Sequence, residues 1–213
     1  MTSVSEAVSG PAEQQPGRRE RKRREVRDRL CSAALQLFVE RGYEATTIDQ
    51  IAERADVARA TVFNYFPQKV GFLEEWGTRR RATVALMLDE QDAGRRPAPE
   101  LLRLYLRALA ALNEASRAET PVLMDAAAHF GRLFQDPSLG AELARIIQAG
   151  QEAGQFASGP DPGQVGSLLA AGYFTTVLQW ADGPAPFDLT GRLDAMLDLV
   201  LPALTDPPRA APA

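Results

Sequence analysis

The chain has 213 residues, 45% of them hydrophobic and 24% charged, with a formal net charge of −4, a composition that suits a globular chain able to bury a sizeable core. A single cysteine, Cys31, excludes an internal disulfide, and no apolar run reaches the roughly 18 residues of a membrane span. The first residues are polar and then basic, without the apolar stretch of a secretory signal, so a cytoplasmic protein with no membrane partner is expected.

The charge is unevenly spread. Residues 18–81 hold 15 Lys and Arg against 10 Asp and Glu, whereas residues 82–213 hold 9 against 16. A basic N-terminal third on an acidic body points to two tasks, and the basic part can face either a polyanion or plain solvent.

Met1 to Gly17 is rich in Ser, Pro, Gly and Gln, and Arg18 to Arg24 is a charge run too polar to pack, so residues 1–22 are expected to form a disordered basic arm. Val26, Leu30, Ala33, Leu37 and Phe38 then recur at helical steps, and Gly42 suits the end of that helix. Thr47 is a good N-cap for a second helix, with Gln50 placed to complete a capping box and Ile48, Ile51, Ala52 and Ala55 on the inner face. The turn Asp56-Val57-Ala58 leads to a short third helix from Arg59 to Phe66, which Pro67 stops. A fourth helix carries Val70, Leu73 and Trp76 and runs to about Glu90. After a break at Gly94 to Pro99, helices are expected near 99–118, 121–134, 138–154, 162–181 and 188–204, with Pro, Gly and Asp at the joints. No segment alternates at period two for long enough to make a strand. The fold class is all-α with about nine helices: a three-helix helix-turn-helix domain followed by a helical bundle.

Two short amphipathic helices joined by a tight turn make a helix-turn-helix, or else a plain hairpin in a bundle. Val62 and Phe66 are four apart and pack inward, which leaves Arg59, Ala60, Thr61 and Asn64 on the outer side. Small and hydrogen-bonding side chains on such a face suit entry into a major groove. Lys69, at the start of the next helix, is placed to meet a phosphate.

The run from Thr46 to Lys69, TTIDQIAERADVARATVFNYFPQK, and the preceding Ala33 to Tyr43, AALQLFVERGY, resemble the DNA-binding region of the tetracycline-repressor (TetR) family. The resemblance implies DNA contacts from Thr47, Arg59, Ala60, Thr61, Phe63, Asn64, Tyr65 and Lys69. Ala58 and Ala60 stand where Ser and Gly are common in that family, Phe63 lacks a tyrosine hydroxyl, and Asn64 and Tyr65 replace an aromatic residue and a histidine. An Asn can pair with adenine in two hydrogen bonds, so Asn64 is expected to alter base preference. On this reading residues 23–68 bind DNA, 69–205 bind a ligand and dimerise, and 206–213 form a disordered tail.

The resemblance also implies a homodimer on a palindromic operator. Its interface would draw on Leu168, Leu169, Gly172, Thr176 and Trp180 in the penultimate helix and on Leu193, Met196, Leu197 and Val200 in the last. Gly166, Ala170 and Gly172 are small enough for close helix approach. From periodicity alone these stripes are equally an internal core. The middle helices would surround a small-molecule effector, with Tyr105, Met124, His129, Phe130, Phe134 and Tyr173 as candidate contacts and Asn113 and Gln179 as further polar groups. Few charges lie on these faces, so an uncharged or apolar effector is expected. No HExxH, GxSxG, CxxC or phosphate-loop pattern is present, and one His and one Cys make a poor metal set. Neither an enzyme nor a cofactor or metal is expected, and Cys31 reads as an inert small hydrophobe.

Overall fold

The computed structural model describes residues 17–90, 95–129, 138–183 and 187–205. Among them are nine helices and no strand: α1 (Arg18–Arg41), α2 (Ile48–Arg54), α3 (Arg59–Tyr65), α4 (Gly71–Glu90), α5 (Ala98–Ala115), α6 (Thr120–His129), α7 (Ser138–Glu152), α8 (Pro162–Asp182) and α9 (Leu189–Thr205).

The charged run ahead of Val26 is helical, which differs from the arm expected there. Arg18 to Arg24 form the first two turns of α1, with every residue exposed. Arg, Lys and Glu are good helix formers, and the packed part of α1 supplies the nucleus that a charged run lacks alone. Burial begins at Leu30 and continues through Ala33, Ala34, Leu37 and Phe38, the stripe of a helix with one face inward. Gly42, at φ 85°, turns the chain out of α1 while its N–H still bonds to the Phe38 carbonyl. The expected capping box is present: the Gln50 N–H donates to Thr47 Oγ1 at 3.3 Å, and the Thr47 N–H donates to Gln50 Oε1 at 2.9 Å. Such a cap contributes on the order of 1 kcal/mol.

Behind α2 and α3, Leu30, Leu37, Phe38, Ile51, Val62, Phe66 and Phe72 are almost wholly buried, and the Phe66 ring stacks on Phe72 at 4.1 Å. This head passes without a break into the body, because all the buried apolar side chains form one continuous cluster. The long helix α4 spans the junction, packing on α1 and on α5 and α6. Two ion-paired carboxylates strengthen its hold on α1. Glu75 accepts from Arg27 at 2.6 Å and from Arg79 at 2.9 Å, and Arg79 also reaches Asp28 at 2.6 Å.

In the body, α7 and α8 make the closest approach. A Cβ added at Gly166 would stand 2.3 Å from the Gly140 carbonyl oxygen, so only glycine fits. The small residues of α8 therefore serve contacts inside one chain, since Gly172 likewise lies against the Met196 sulfur. The chain leaving α7 returns to the end of α9, where the Ala157 N–H donates to the Leu204 carbonyl at 2.6 Å. The start of α8 thus lies beside the end of α9, and the two helices run antiparallel. No helix among the described residues is long and apolar enough to cross a membrane.

Candidate nucleic-acid interface and helical body

The outer face of α3 is built by what the inner face buries. Val62 is fully buried and Phe66 nearly so, which fixes the rotation of the helix. Arg59, Ala60, Phe63 and Asn64 are then exposed, while Thr61 and Tyr65 are partly buried at the edges. Phe63 is 40% exposed, which leaves its ring accessible on the outer face of the helix. Thr47 is exposed at the start of α2, on the capping side described above.

Two cations of this surface are held by the protein itself. The Arg59 guanidinium bonds both Asp49 oxygens, at 2.9 and 2.7 Å, and lies 5.5 Å from the Phe63 ring centre. The pair links the first turn of α2 to the first turn of α3. Lys69, expected to meet a phosphate, is held by the turn between α1 and α2. Its ammonium lies 4.2 Å from the Tyr43 ring centre and donates to the carbonyls of Tyr43 at 2.7 Å, Thr46 at 3.0 Å and Glu44 at 3.4 Å. An ammonium has three donors, so the turn between α1 and α2 occupies all of them. Burial pushes the Lys69 pKa below its ordinary value. Neither Asp49 nor the carbonyl cage was readable from sequence, since both join residues ten to twenty-six positions apart.

The candidate effector contacts divide by location. Tyr105, Met124 and Tyr173 are buried. Phe130 and Phe134 lie outside the described residues, and so does the side chain of His129. The Tyr105 hydroxyl donates to the Glu142 carboxylate, which also pairs with Arg81 at 3.5 Å. Burial first, and that bond second, raise the Tyr105 pKa. Asn113 is completely buried; its Nδ2 donates to the Tyr173 hydroxyl at 2.8 Å, and its Oδ1 accepts from Arg80 at 2.9 Å. Sequence reasoning had no reason to single out Arg80, which is the middle of three consecutive arginines on α4.

The candidate interface residues also divide. Leu169, Thr176, Trp180, Leu193 and Leu197 are buried inside one protomer, so they form its core. Leu168 is 61% exposed, and Gly172, Met196 and Val200 are partly buried. Leu199, which the stripe of α9 left aside, is 82% exposed. Because α8 and α9 run antiparallel and meet at Gly172 and Met196, Leu168 and Leu199 each stand about one turn from that contact, toward the same end.

Cys31 is buried in the head, and desolvation pushes its thiol pKa up to about 12. No cluster of metal-ligating side chains occurs among the described residues.

A sequence profile for "Bacterial regulatory proteins, tetR family" matches residues 30–76, from the buried stripe of α1 to Trp76 in α4. The transcriptional regulator TcmR of Streptomyces glaucescens is 50% identical over 54 residues, which are 25% of this chain and 24% of TcmR. The repressor KstR of Rhodococcus jostii is 34% identical over 125 residues, 58% of this chain and 55% of KstR. The chain thus spans from a quarter to about half of the length of these curated relatives. The similarity to solved structures is more extensive. FadR of Thermus thermophilus, described as a TetR-family transcriptional repressor in complex with lauroyl-CoA, is 30% identical; the match covers 88% of this chain and 99% of FadR, with a TM-score of 0.66.

Proposed function

The chain belongs to the tetR family of bacterial regulatory proteins, and from that membership we propose that it is a homodimeric transcriptional repressor that binds a palindromic DNA operator. A small-molecule effector in the helical body releases it. It acts by binding and not by catalysis, in the cytoplasm.

The observation that carries this reading is the exposed face of α3. Arg59, Ala60, Phe63 and Asn64 stand out from a helix whose other side is sealed into the head, within the region that matches the family. Side chains of that kind suit base edges and phosphates in the major groove. Thr47 and the start of α2 lie beside the DNA backbone in this arrangement. The helical run Arg18 to Arg24 adds six cations and one Glu at the head's edge, available to phosphates.

A two-fold dimer presents two recognition helices to successive major grooves about 34 Å apart. The exposed Leu168 and Leu199, with Met196 and Val200 beside them, are the apolar surface for the second copy. The effector acts through α4, which bonds to α1 on one side and to the body on the other. Linkage requires DNA and effector to weaken each other by the same factor.

Salt titration of duplex binding is the test. Affinity should fall steeply with salt because each neutralised phosphate releases a counterion. Asn64→Ala should change base preference without removing binding. A purified protein that binds no duplex even at low salt refutes the reading.

A further inference from the structure

The consecutive residues Arg79, Arg80 and Arg81 project about 100° apart around α4, and the three find different surroundings. Arg79 pairs with Glu75 and Asp28 on the head side. Arg81 pairs with Glu142 in the body. Arg80, partly buried between them, has no carboxylate within ion-pair distance among the described residues.

What Arg80 does have is a set of neutral partners that leave donors over. Its guanidinium stacks on the Trp76 ring at 4.9 Å and gives one hydrogen bond, to Asn113 Oδ1. That bond fixes the Asn113 amide, whose Nδ2 donates to the Leu109 carbonyl at 2.9 Å and to the Tyr173 hydroxyl oxygen at 2.8 Å. The Thr120 hydroxyl adds another donor, 3.4 Å from Asn113. Tyr173 is therefore an acceptor here, and its own O–H has no acceptor among the described residues. Arg80 uses one of five N–H donors. Burial lowers the Arg80 pKa, the sign of a charge that its surroundings cost more than they compensate. Glu119, the acidic group that acts on it from a distance, is exposed to solvent. A buried cation of this kind normally has an anion beside it.

We propose that the effector is a small organic anion, whose carboxylate-type head group pairs with Arg80 and accepts a hydrogen bond from the Tyr173 hydroxyl. The proposal rests on the reading of the chain as an effector-responsive regulator. It replaces the expectation of an uncharged effector, which considered the faces of the middle helices and left α4 out. It also supplies the coupling. Arg80 lies between the arginine that holds α1 and the one that holds α7, so an anion drawing on Arg80 shifts the helix that carries the head.

The test uses the full chain and four acids, each against its own amide: benzoate, phenylacetate, hexanoate and decanoate. Tryptophan fluorescence reports binding, because Trp76 touches the Arg80 guanidinium. At least one acid should bind roughly 10- to 100-fold more tightly than its amide, the usual effect of charge-assisted hydrogen bonds. Arg80→Gln should bring that ratio to about one, and Tyr173→Phe should reduce it several-fold. The melting temperature of Arg80→Gln checks that the variant folds, and Tyr173→Phe tests the site with Arg80 intact. The proposal is overturned if no acid is preferred to its amide, or if the preference survives Arg80→Gln. Duplex binding of the wild-type protein without any acid is measured alongside. Its failure refutes the regulator reading, whereas a lost acid preference with intact duplex binding refutes only the anion site.

Discussion

Lys69→Met separates a structural lysine from one that serves DNA alone. Methionine keeps the stem against the Tyr43 ring and removes only the ammonium. The wild-type ammonium makes two short bonds, 2.7 Å to the Tyr43 carbonyl and 3.0 Å to the Thr46 carbonyl, and lies 4.2 Å from the Tyr43 ring centre. A hydrogen bond to a charged group is worth about 1.5–3 kcal/mol when buried, and an exposed cation–π contact about 0.5–1 kcal/mol. The site is only partly buried, and the carbonyls can turn to water in the variant, so the sum shrinks to about 2 kcal/mol. For a chain of this size that lowers the melting temperature by about 4–8 °C. Thermal and urea unfolding check it; the urea midpoint should fall with an unchanged slope. DNA affinity should fall as well, because the turn that the ammonium holds leads straight into Thr47 and the start of α2. If Lys69→Met melts within about 1 °C of wild type while losing DNA affinity, the carbonyl cage is not holding the turn and the reasoning fails.

Asp49→Ala should free Arg59 and remove a negative charge from the DNA face. Both partners of that pair are more than half exposed, so stability should hardly change while duplex affinity rises several-fold with a steeper salt slope; unchanged affinity would show that Arg59 does not face DNA. Glu75 gives a pH signature. Its hydrogen bond from Arg27, then that from Arg79, holds its pKa below the usual carboxylate range, so its contribution is present above the ordinary Glu pKa and is lost as pH falls through the lowered one. Acid unfolding monitored by circular dichroism should lose this component in Glu75→Gln, and identical acid profiles would contradict the clasp. At the proposed dimer face, Leu199→Asp should give folded monomers in sedimentation, whereas Leu197→Asp, which buries a charge in the core, should fail to fold. A dimeric Leu199→Asp protein would move the interface elsewhere.

Periodicity carried the fold a long way, because α5, α7, α8 and α9 each bury a regular stripe and the last three end near Pro, Gly or Asp. It could not divide a broad stripe into core and interface. Leu193 and Leu197 fill the protomer, and Leu199, two positions on, is the residue left outside. The charge run at Arg18 to Arg24 lies exposed, and its helicity, which composition does not reveal, depends on the nucleus that follows at Leu30. On the candidate DNA surface, Arg59 and Asn64 were legible because burying Val62 and Phe66 forces them outward. The hold of Asp49 on Arg59 and of the turn carbonyls on Lys69 was not, since short helices bring these groups together only after they pack. Arg80 is the clearest case. Asn113 and Tyr173 were visible as polar residues in separate helices, but their convergence on one α4 arginine exists only in three dimensions.

Selection of bound duplexes from a random DNA pool tests the central claim most directly. The account predicts enrichment of an inverted repeat, with half-site centres one helical turn or a multiple apart and with a base preference that shifts in Asn64→Ala. A pool that yields no enriched sequence after repeated rounds at low salt would contradict it.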